Sequence, residues 1–332
     1  MNTEILNPSK ETYEKCALVI KEGGLVAFPT ETVYGLGANA LNGAAVKKIY
    51  EAKGRPQDNP IIVHVAERGE ISDYAEISQI AKKLMEAFMP GPITLVLKRS
   101  GRICPEVSYG LDTVGIRIPL NPIARDFIKE CRLPIAAPSA NSSTRPSPTE
   151  AAHVLEDLGG KIPYIIDGGR CQIGIESTVV DATGNTPVIL RLGKITPGMI
   201  RSVCGDVRIS FEQPDKPASP GTKYIHYTPA CECALIDSHE PKFIEQVVRA
   251  EVEKGRKVSL LCFSQFEMEG ASVYLLGNDN FEAASNLFYL LRLAEKNSDI
   301  IFIEAAMGRG EFADSLLNRM IKSAGGNVIT EP

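Results

Sequence analysis

From about residue 7 to residue 211, short aliphatic and β-branched runs alternate with stretches whose apolar residues recur at helical spacing. Residues 25–28, 61–65, 94–97, 114–118, 164–166, 178–180 and 188–190 predict strands. Residues 44–52, 79–88, 122–131 and 149–158 predict helices, the last starting where Thr149 follows Pro148 and precedes Glu150. Proline punctuates many of the junctions and interrupts strict βαβ repetition. The expectation is a twisted, mixed sheet with helices.

The pattern breaks at residues 212–229, a proline-rich stretch with neither period, which reads as a linker. Two tyrosines and a histidine near its end give it more chemistry than a passive tether needs, and long irregular segments are often functional. Beyond it, residues 234–236, 258–263, 273–276 and 300–303 predict buried strands, and 242–253, 281–296 and 312–324 predict helices. Phe281, Ala284, Phe288, Leu291 and Ala294 form one apolar stripe. Strands alternating with helices predict a smaller, Rossmann-like parallel α/β unit. The expected organisation is therefore 1–211, a linker at 212–229, and 230–332.

The chain's 332 residues suit two domains at roughly 100–200 residues each. A hydrophobic content of 44% is enough for a core in both. The net charge of -5 does not mark a general nucleic-acid binder, so any basic character is local. Eight scattered cysteines, with only Cys231 and Cys233 close together, lack the paired spacing of a zinc site and read as reduced thiols. The N-terminal residues carry no basic start and apolar run, and no apolar stretch reaches membrane-spanning length. A cytoplasmic protein without a membrane partner is expected.

Two segments concentrate the chemistry. Pro29-Thr-Glu-Thr-Val-Tyr-Gly-Leu-Gly37 is rich in hydroxyls and glycine, and Lys53-Gly-Arg55-Pro-Gln-Asp-Asn59 places cations and an amide before the strand carrying His64. Pro56 and Pro60 stiffen that loop, and fixed cations suit phosphate recognition. In the strand, Ile61, Val63 and Val65 share one face, so His64 points with Ile62. Either a satisfied core histidine or a ligand contact fits. Arg117 shares a strand face with Gly115 and needs an anion, either an internal carboxylate or a ligand. Arg191 at the end of its strand raises the same question. Residues 136–148 and 174–179 add small hydroxyl-bearing groups able to bond phosphates.

Gly35-Leu-Gly37-Ala-Asn-Ala40 matches a dinucleotide fingerprint in letters but lacks the acid-tipped following strand. Gly308-Arg-Gly310-Glu-Phe-Ala313 reads as a turn between strand and helix. Neither a Ser-His-Asp nor a Cys-His set is evident. The residues favour electrostatics and positioning over covalent catalysis.

Taken together, Phe28-Pro-Thr-Glu-Thr-Val-Tyr-Gly-Leu-Gly37, the Lys53-x-Arg55 and Ser139-x-Asn141 pairs, and Gly174-Ile-Glu-Ser-Thr-Val179 resemble the threonylcarbamoyl-AMP synthase family with its YrdC-like domain. The linker Ser219-Pro-Gly-Thr-Lys-Tyr-Ile-His-Tyr-Thr-Pro229 and the extra α/β unit resemble the long, two-domain form. The likeness covers nearly the whole chain. Asn121, Thr144, Leu192 and Ile225 depart from the residues common there, and Ile225 removes a cation from the linker.

This resemblance implies a nucleotidyltransferase that converts L-threonine, bicarbonate and ATP into threonylcarbamoyl-AMP and pyrophosphate. It implies that a tRNA threonylcarbamoyl transferase complex then modifies an adenosine beside the anticodon, with at most a weak tRNA contact here. Carried over position by position, Thr32, His64, Arg117, Ala137 and Ser177 hold L-threonine. Arg55, Asn59, Thr113, Ser139, Ser147, Arg191 and Tyr227 hold ATP, and Lys53 and Asn141 complete the reacting cluster. Magnesium arrives with ATP and is held largely by phosphates and water. The linker, with Tyr224 and Tyr227, is expected to fold over the pocket and exclude water. The competing expectations are an RNA-binding YrdC-like module without catalysis, a catalytically silent scaffold, and a hydrogenase-maturation carbamoyltransferase whose zinc-finger cysteine pairs are missing here.

Overall fold

The computed structural model describes residues 2–54, 56–57, 59–210 and 227–332. Contacts divide the chain into two compact units: Met1–Ser143, Pro148–Gln172 and Glu176–Lys223 in the first, and Thr144–Ser147, Ile173–Ile175 and Tyr224–Pro332 in the second.

The first unit is built on one sheet, with strands β1 (Glu4–Leu6), β2 (Val26–Phe28), β3 (Gly35–Asn39), β4 (Val63–His64), β5 (Ala75–Glu76), β6 (Ile93–Arg99), β7 (Thr113–Arg117), β8 (Ile135–Ala136), β9 (Tyr164–Ile166), β10 (Thr178–Asp181), β11 (Val188–Arg191) and β12 (Arg208–Ile209). Their spatial order is β1-β9-β2-β3-β8-β4-β7-β6-β10-β11-β12, with β5 beside β6. Parallel pairs (β4 with β7, β10 with β6) alternate with antiparallel ones (β6 with β7, β3 with β8), so the sheet is mixed as expected.

Alternation along the strands sorts the residues. Val63, Ile116 and Leu95 lie in register and sink into the larger core with Leu36, Ala38 and Val180. Their neighbours Ile62, His64, Gly115, Arg117 and Thr94 therefore belong to the opposite face. A second apolar cluster packs Phe28, Ile135 and Ala137 against Phe127 and Ile128.

Local signals set the helix ends. Asn42 caps the helix Gly43–Lys53 by accepting from the N–H groups of Ala44 and Ala45, and Gly54 ends it at φ 61°. Lys53 thus sits in the last turn, where its charge opposes the helix dipole. Asn121 caps Pro122–Cys131, with proline in the first turn. The helix expected from Thr149 starts instead at Ala151, with Glu150 at the cap, because Thr149 bonds to His153 through its own N–H and hydroxyl.

The glycine-containing segment of the fingerprint match, which the sequence pattern does not assign to an element, is strand β3. Gly37 runs antiparallel to Val26, where a Cβ would meet Ile135 Cγ2 at 2.9 Å and Phe28 Cε1 at 3.0 Å. The glycines admit close neighbours rather than a pyrophosphate, which disposes of the fingerprint match. β1 and the helix Lys10–Lys21 carry little apolar signal: the buried face of that helix is Thr12, Cys16, Ala17 and Ile20, of which only Ile20 is a large aliphatic residue.

The second unit holds a five-stranded sheet in the order Ala271–Leu275, Val258–Cys262, Ile300–Glu304, Glu232–Asp237, Val328–Thr330. Every pairing is parallel, as a Rossmann-like reading requires. Helices Pro241–Val252, Asn280–Ala294 and Glu311–Ser323 complete it. Gly308 and Gly310 lie in the turn between the strand ending at Glu304 and the helix starting at Glu311. The stripe on Asn280–Ala294 needs one correction: Phe281 is 54% exposed, stacking on Phe312 at 4.3 Å, while Ala284, Phe288, Leu291 and Ala294 are buried. Phe281 lies in the first turn, which extends beyond the core it was expected to face.

Leu95→Ala, which empties the middle of the first sheet, should lower unfolding free energy by about 2–5 kcal/mol in urea titration. Leu18→Ala, at a side chain 56% exposed, should change it by less than about 0.5 kcal/mol.

Candidate functional site

Arg117 closes β7 on the face away from the main core, and its guanidinium is only 4% exposed. Burying that charge requires an anion. The structure supplies Glu31, 3% exposed, whose Oε1 accepts from Nη2 at 2.7 Å. The sequence reading left open whether the anion was internal or a ligand; it is internal. Glu31 Oε2 also accepts the backbone N–H of Leu120 at 3.0 Å, and Arg117 Nη1 donates to Thr32 Oγ1 at 2.9 Å. Thr32 Oγ1 lies 2.8 Å from Thr30 Oγ1, whose hydroxyl donates to the carbonyl of Val33. The hydroxyl-rich loop therefore leans on Arg117. Nothing in the sequence around Glu31 singles it out from its hydroxyl-rich motif, and only the fold brings it to Arg117.

His64 pairs with Arg117 in the parallel register and with Ile135 on its other side. Phe28 meets its ring edge-on at 6.0 Å. Burial, with the Arg117 charge adding to it, pushes the imidazole down to about 3, so the ring is neutral at physiological pH. Among the described residues, His64 Nδ1 and Arg117 Nε are buried without a hydrogen-bond partner. Such orphans are rare in a folded interior and mark where a ligand can bond. The thiol of Cys171 lies beside Glu31 and Arg117, and burial pushes it up to about 12, so it lines the site as a neutral group.

Ser177 and Thr94 continue this face. Their hydroxyls lie 2.8 Å apart, and Arg191 Nη2 donates to Ser177 Oγ at 3.2 Å while its Nε donates to the Ser177 carbonyl at 3.0 Å. Gly193 makes this approach achievable, since a Cβ there would lie 2.5 Å from the Thr178 nitrogen and 2.8 Å from the Ser177 carbonyl carbon. Thr113 stands on the Arg117 side of β7 and lines a small cavity with Ile62, Thr94 and Gly115.

A third group is built around Lys53. Its Nζ, buried at the end of the helix Gly43–Lys53, donates to the backbone carbonyls of Ser139 and Asn141. Ser139 bridges to Gly35, and Ala137 donates its N–H to the Ile62 carbonyl at 2.9 Å, so residues 137–141 run beside the Thr32 loop and the His64 strand. Asn59 is buried, and its carbonyl accepts from the Tyr50 hydroxyl at 3.0 Å.

The fold thus gathers Thr32, His64, Arg117, Ala137, Ser177 and Arg191 with Lys53, Ser139 and Asn141 inside one unit. Thr113 lies on the same sheet. Ser147 and Tyr227 belong to the second unit, where Ser147 is buried and Tyr227 stacks on Phe288 at 4.9 Å with φ 72°. Arg55, Tyr224 and Ile225, with residues 212–226 of the expected 212–229 linker, lie outside the described residues. Among the described residues, no cluster of three or more His, Cys, Asp or Glu side chains could hold a metal ion, and no helix is long and apolar enough to cross a membrane.

The mixed sheet thus carries on one face a neutral imidazole, a guanidinium with an open nitrogen, hydroxyls and Arg191, groups able to bond a small amphoteric molecule. The family profile described as "Telomere recombination" (Sua5, YciO and YrdC) matches residues 18–193, and that of the threonylcarbamoyl-AMP synthase C-terminal domain matches residues 195–325. The chain belongs to this Sua5–YciO–YrdC family. It is 42% identical to a threonylcarbamoyl-AMP synthase of Bacillus subtilis, over 98% of this chain and 97% of that protein. It is 44% identical to a threonylcarbamoyl-AMP synthase of Pyrococcus abyssi, covering 93% of each. The crystal structure of P. abyssi Sua5 complexed with L-threonine superposes with a TM-score of 0.93 at 41% identity, covering 100% of both chains.

The depressed value at His64 has a consequence for stability against acid. Its folded-state value lies below the ordinary 6.5, so the unfolded chain binds the extra proton. The stabilisation is complete above about pH 6.5 and falls away as the pH drops toward 3, by up to about 1.4 kcal/mol per pH unit. Denaturant titrations of His64→Gln between pH 7 and pH 4 should show a visibly shallower acid limb than those of the wild type.

Proposed function

We infer that this chain is a threonylcarbamoyl-AMP synthase, a nucleotidyltransferase that joins L-threonine, carbon dioxide from bicarbonate and the adenylyl group of ATP. The observation that carries this reading is the pair of buried orphan atoms, His64 Nδ1 and Arg117 Nε, on neighbouring strands of one face. A zwitterionic, hydroxyl-bearing amino acid can satisfy both. The curated relatives bear this name over nearly their whole length, and the superposed Sua5 structure holds L-threonine.

The ammonium of the bound threonine gives up a proton to solvent; the uncharged amine then adds to carbon dioxide, the new N–C bond forms, and a second proton leaves, giving N-carboxy-threonine. A carbamate oxygen then attacks the α-phosphorus of ATP. The bond from that phosphorus to the α,β-bridging oxygen breaks, and pyrophosphate departs with its electron pair. Magnesium enters with ATP as part of the substrate.

Arg117, steadied by Glu31 and Thr32, offers guanidinium hydrogens to the threonine carboxylate. Neutral His64 can bond the amino acid without adding charge. Ser177, oriented by Thr94 and Arg191, offers a hydroxyl. Lys53 and Arg191 are held by backbone carbonyls, and such positioned cations stabilise charge building on the phosphates with little reorganisation. Arg55, Asn59, Thr113, Ser139, Ser147, Asn141 and Tyr227 complete the proposed ligand set. The product is passed to a transferase complex that modifies tRNA, in the cytoplasm where ATP and tRNA reside.

Mass spectrometry of a reaction with ATP, ¹³C-bicarbonate and L-threonine should show threonylcarbamoyl-AMP carrying one label, with one pyrophosphate released per adenylate. Lys53→Ala should lower kcat by about 10²–10³-fold. Salt-sensitive tRNA binding with no threonine-dependent pyrophosphate would instead establish an RNA-binding module.

A further inference from the structure

We propose that Glu31 is a positioning residue that presents Arg117 to the amino acid and cancels its charge, so that the pocket selects a neutral zwitterion over free anions. The inference rests on the synthase reading and adds a residue to the same site.

Three features support it. The carboxylate is buried with both oxygens engaged, one by Arg117 Nη2 at 2.7 Å and the other by the Leu120 N–H at 3.0 Å, with the Asn121 N–H at 3.5 Å. It therefore ties the hydroxyl-rich loop, the end of β7 and the turn into the helix Pro122–Cys131 at one point. Secondly, Thr32 takes Nη1 at 2.9 Å, so the guanidinium is gripped from two directions while Nε remains without a partner among the described residues. A fork held this way loses little side-chain freedom when a ligand arrives. Thirdly, neutral His64 contributes no charge, so the Glu31–Arg117 pair leaves this end of the pocket close to electroneutral. An uncompensated guanidinium there would attract any small anion from solution.

The test compares Glu31→Gln with the wild type in the threonine-dependent pyrophosphate assay. Gln keeps the side-chain length and an oxygen acceptor but removes the charge. The expected result is a KM for L-threonine raised about tenfold or more, with the KM for ATP within about twofold of wild type. Chloride added to 200 mM (an ordinary assay range, roughly an 8 Å Debye length or less) should raise the threonine KM of Glu31→Gln severalfold and leave that of the wild type flat. Anion competition of this kind is not expected from a general loss of structure. Should Glu31→Gln not fold, Glu31→Asp carries the same comparison: it keeps the charge but is one methylene too short to reach both Arg117 and Leu120. Its threonine KM should rise without chloride sensitivity. An unchanged threonine KM, or equal rises in both KM values together with a lower Tm, would overturn the proposal. A wild-type protein that forms no threonylcarbamoyl-AMP would overturn the synthase reading instead.

Discussion

The buried ion pair between Arg117 and Glu31 is the constraint around which the site is organised. Removing either partner leaves an isolated charge in an apolar interior, which costs several kcal/mol. Because the carboxylate also accepts from Leu120 and the guanidinium also donates to Thr32, one pair fixes a loop, a strand end and a helix entry. The loop in turn brings residues 30–34 against the strand edge where Ser139 and Ala140 pass.

Two further buried cations of the first unit bond to carbonyl groups. Lys53 is held by the carbonyls of Ser139 and Asn141, and Arg191 by the carbonyl and hydroxyl of Ser177. Carbonyl dipoles help to orient a cation. The Glu31–Arg117 pair keeps its own region of the face close to neutral, which suits a zwitterion.

Much of this was legible before any fold was known. Strands at 114–118, 164–166 and 188–190 and the helix at 122–131 could be read because their apolar periods are strong and their boundaries carry proline or capping residues. The alternation around His64 correctly separated it from Val63 and Val65. By contrast, β3 was hidden by its glycines, because a propensity argument sees no strand where close packing against Phe28 and Ile135 demands residues without a Cβ. Phe281 was assigned to the core because periodicity runs on past the end of the surface it packs against.

What the amino-acid order determined alone was the inventory: which segments form elements, which faces are apolar, and which cations, hydroxyls and amides are on hand. Those follow from local sterics and from the two side-chain periods of helix and strand. Which of those groups meet was decided by the tertiary structure. Glu31 and Arg117 stand 86 positions apart, and Lys53 lies 88 from Asn141. Only the pairing of β4 with β7 and β8, and the return of residues 137–141 beside β3, brings such distant groups together and makes burying their charge tolerable.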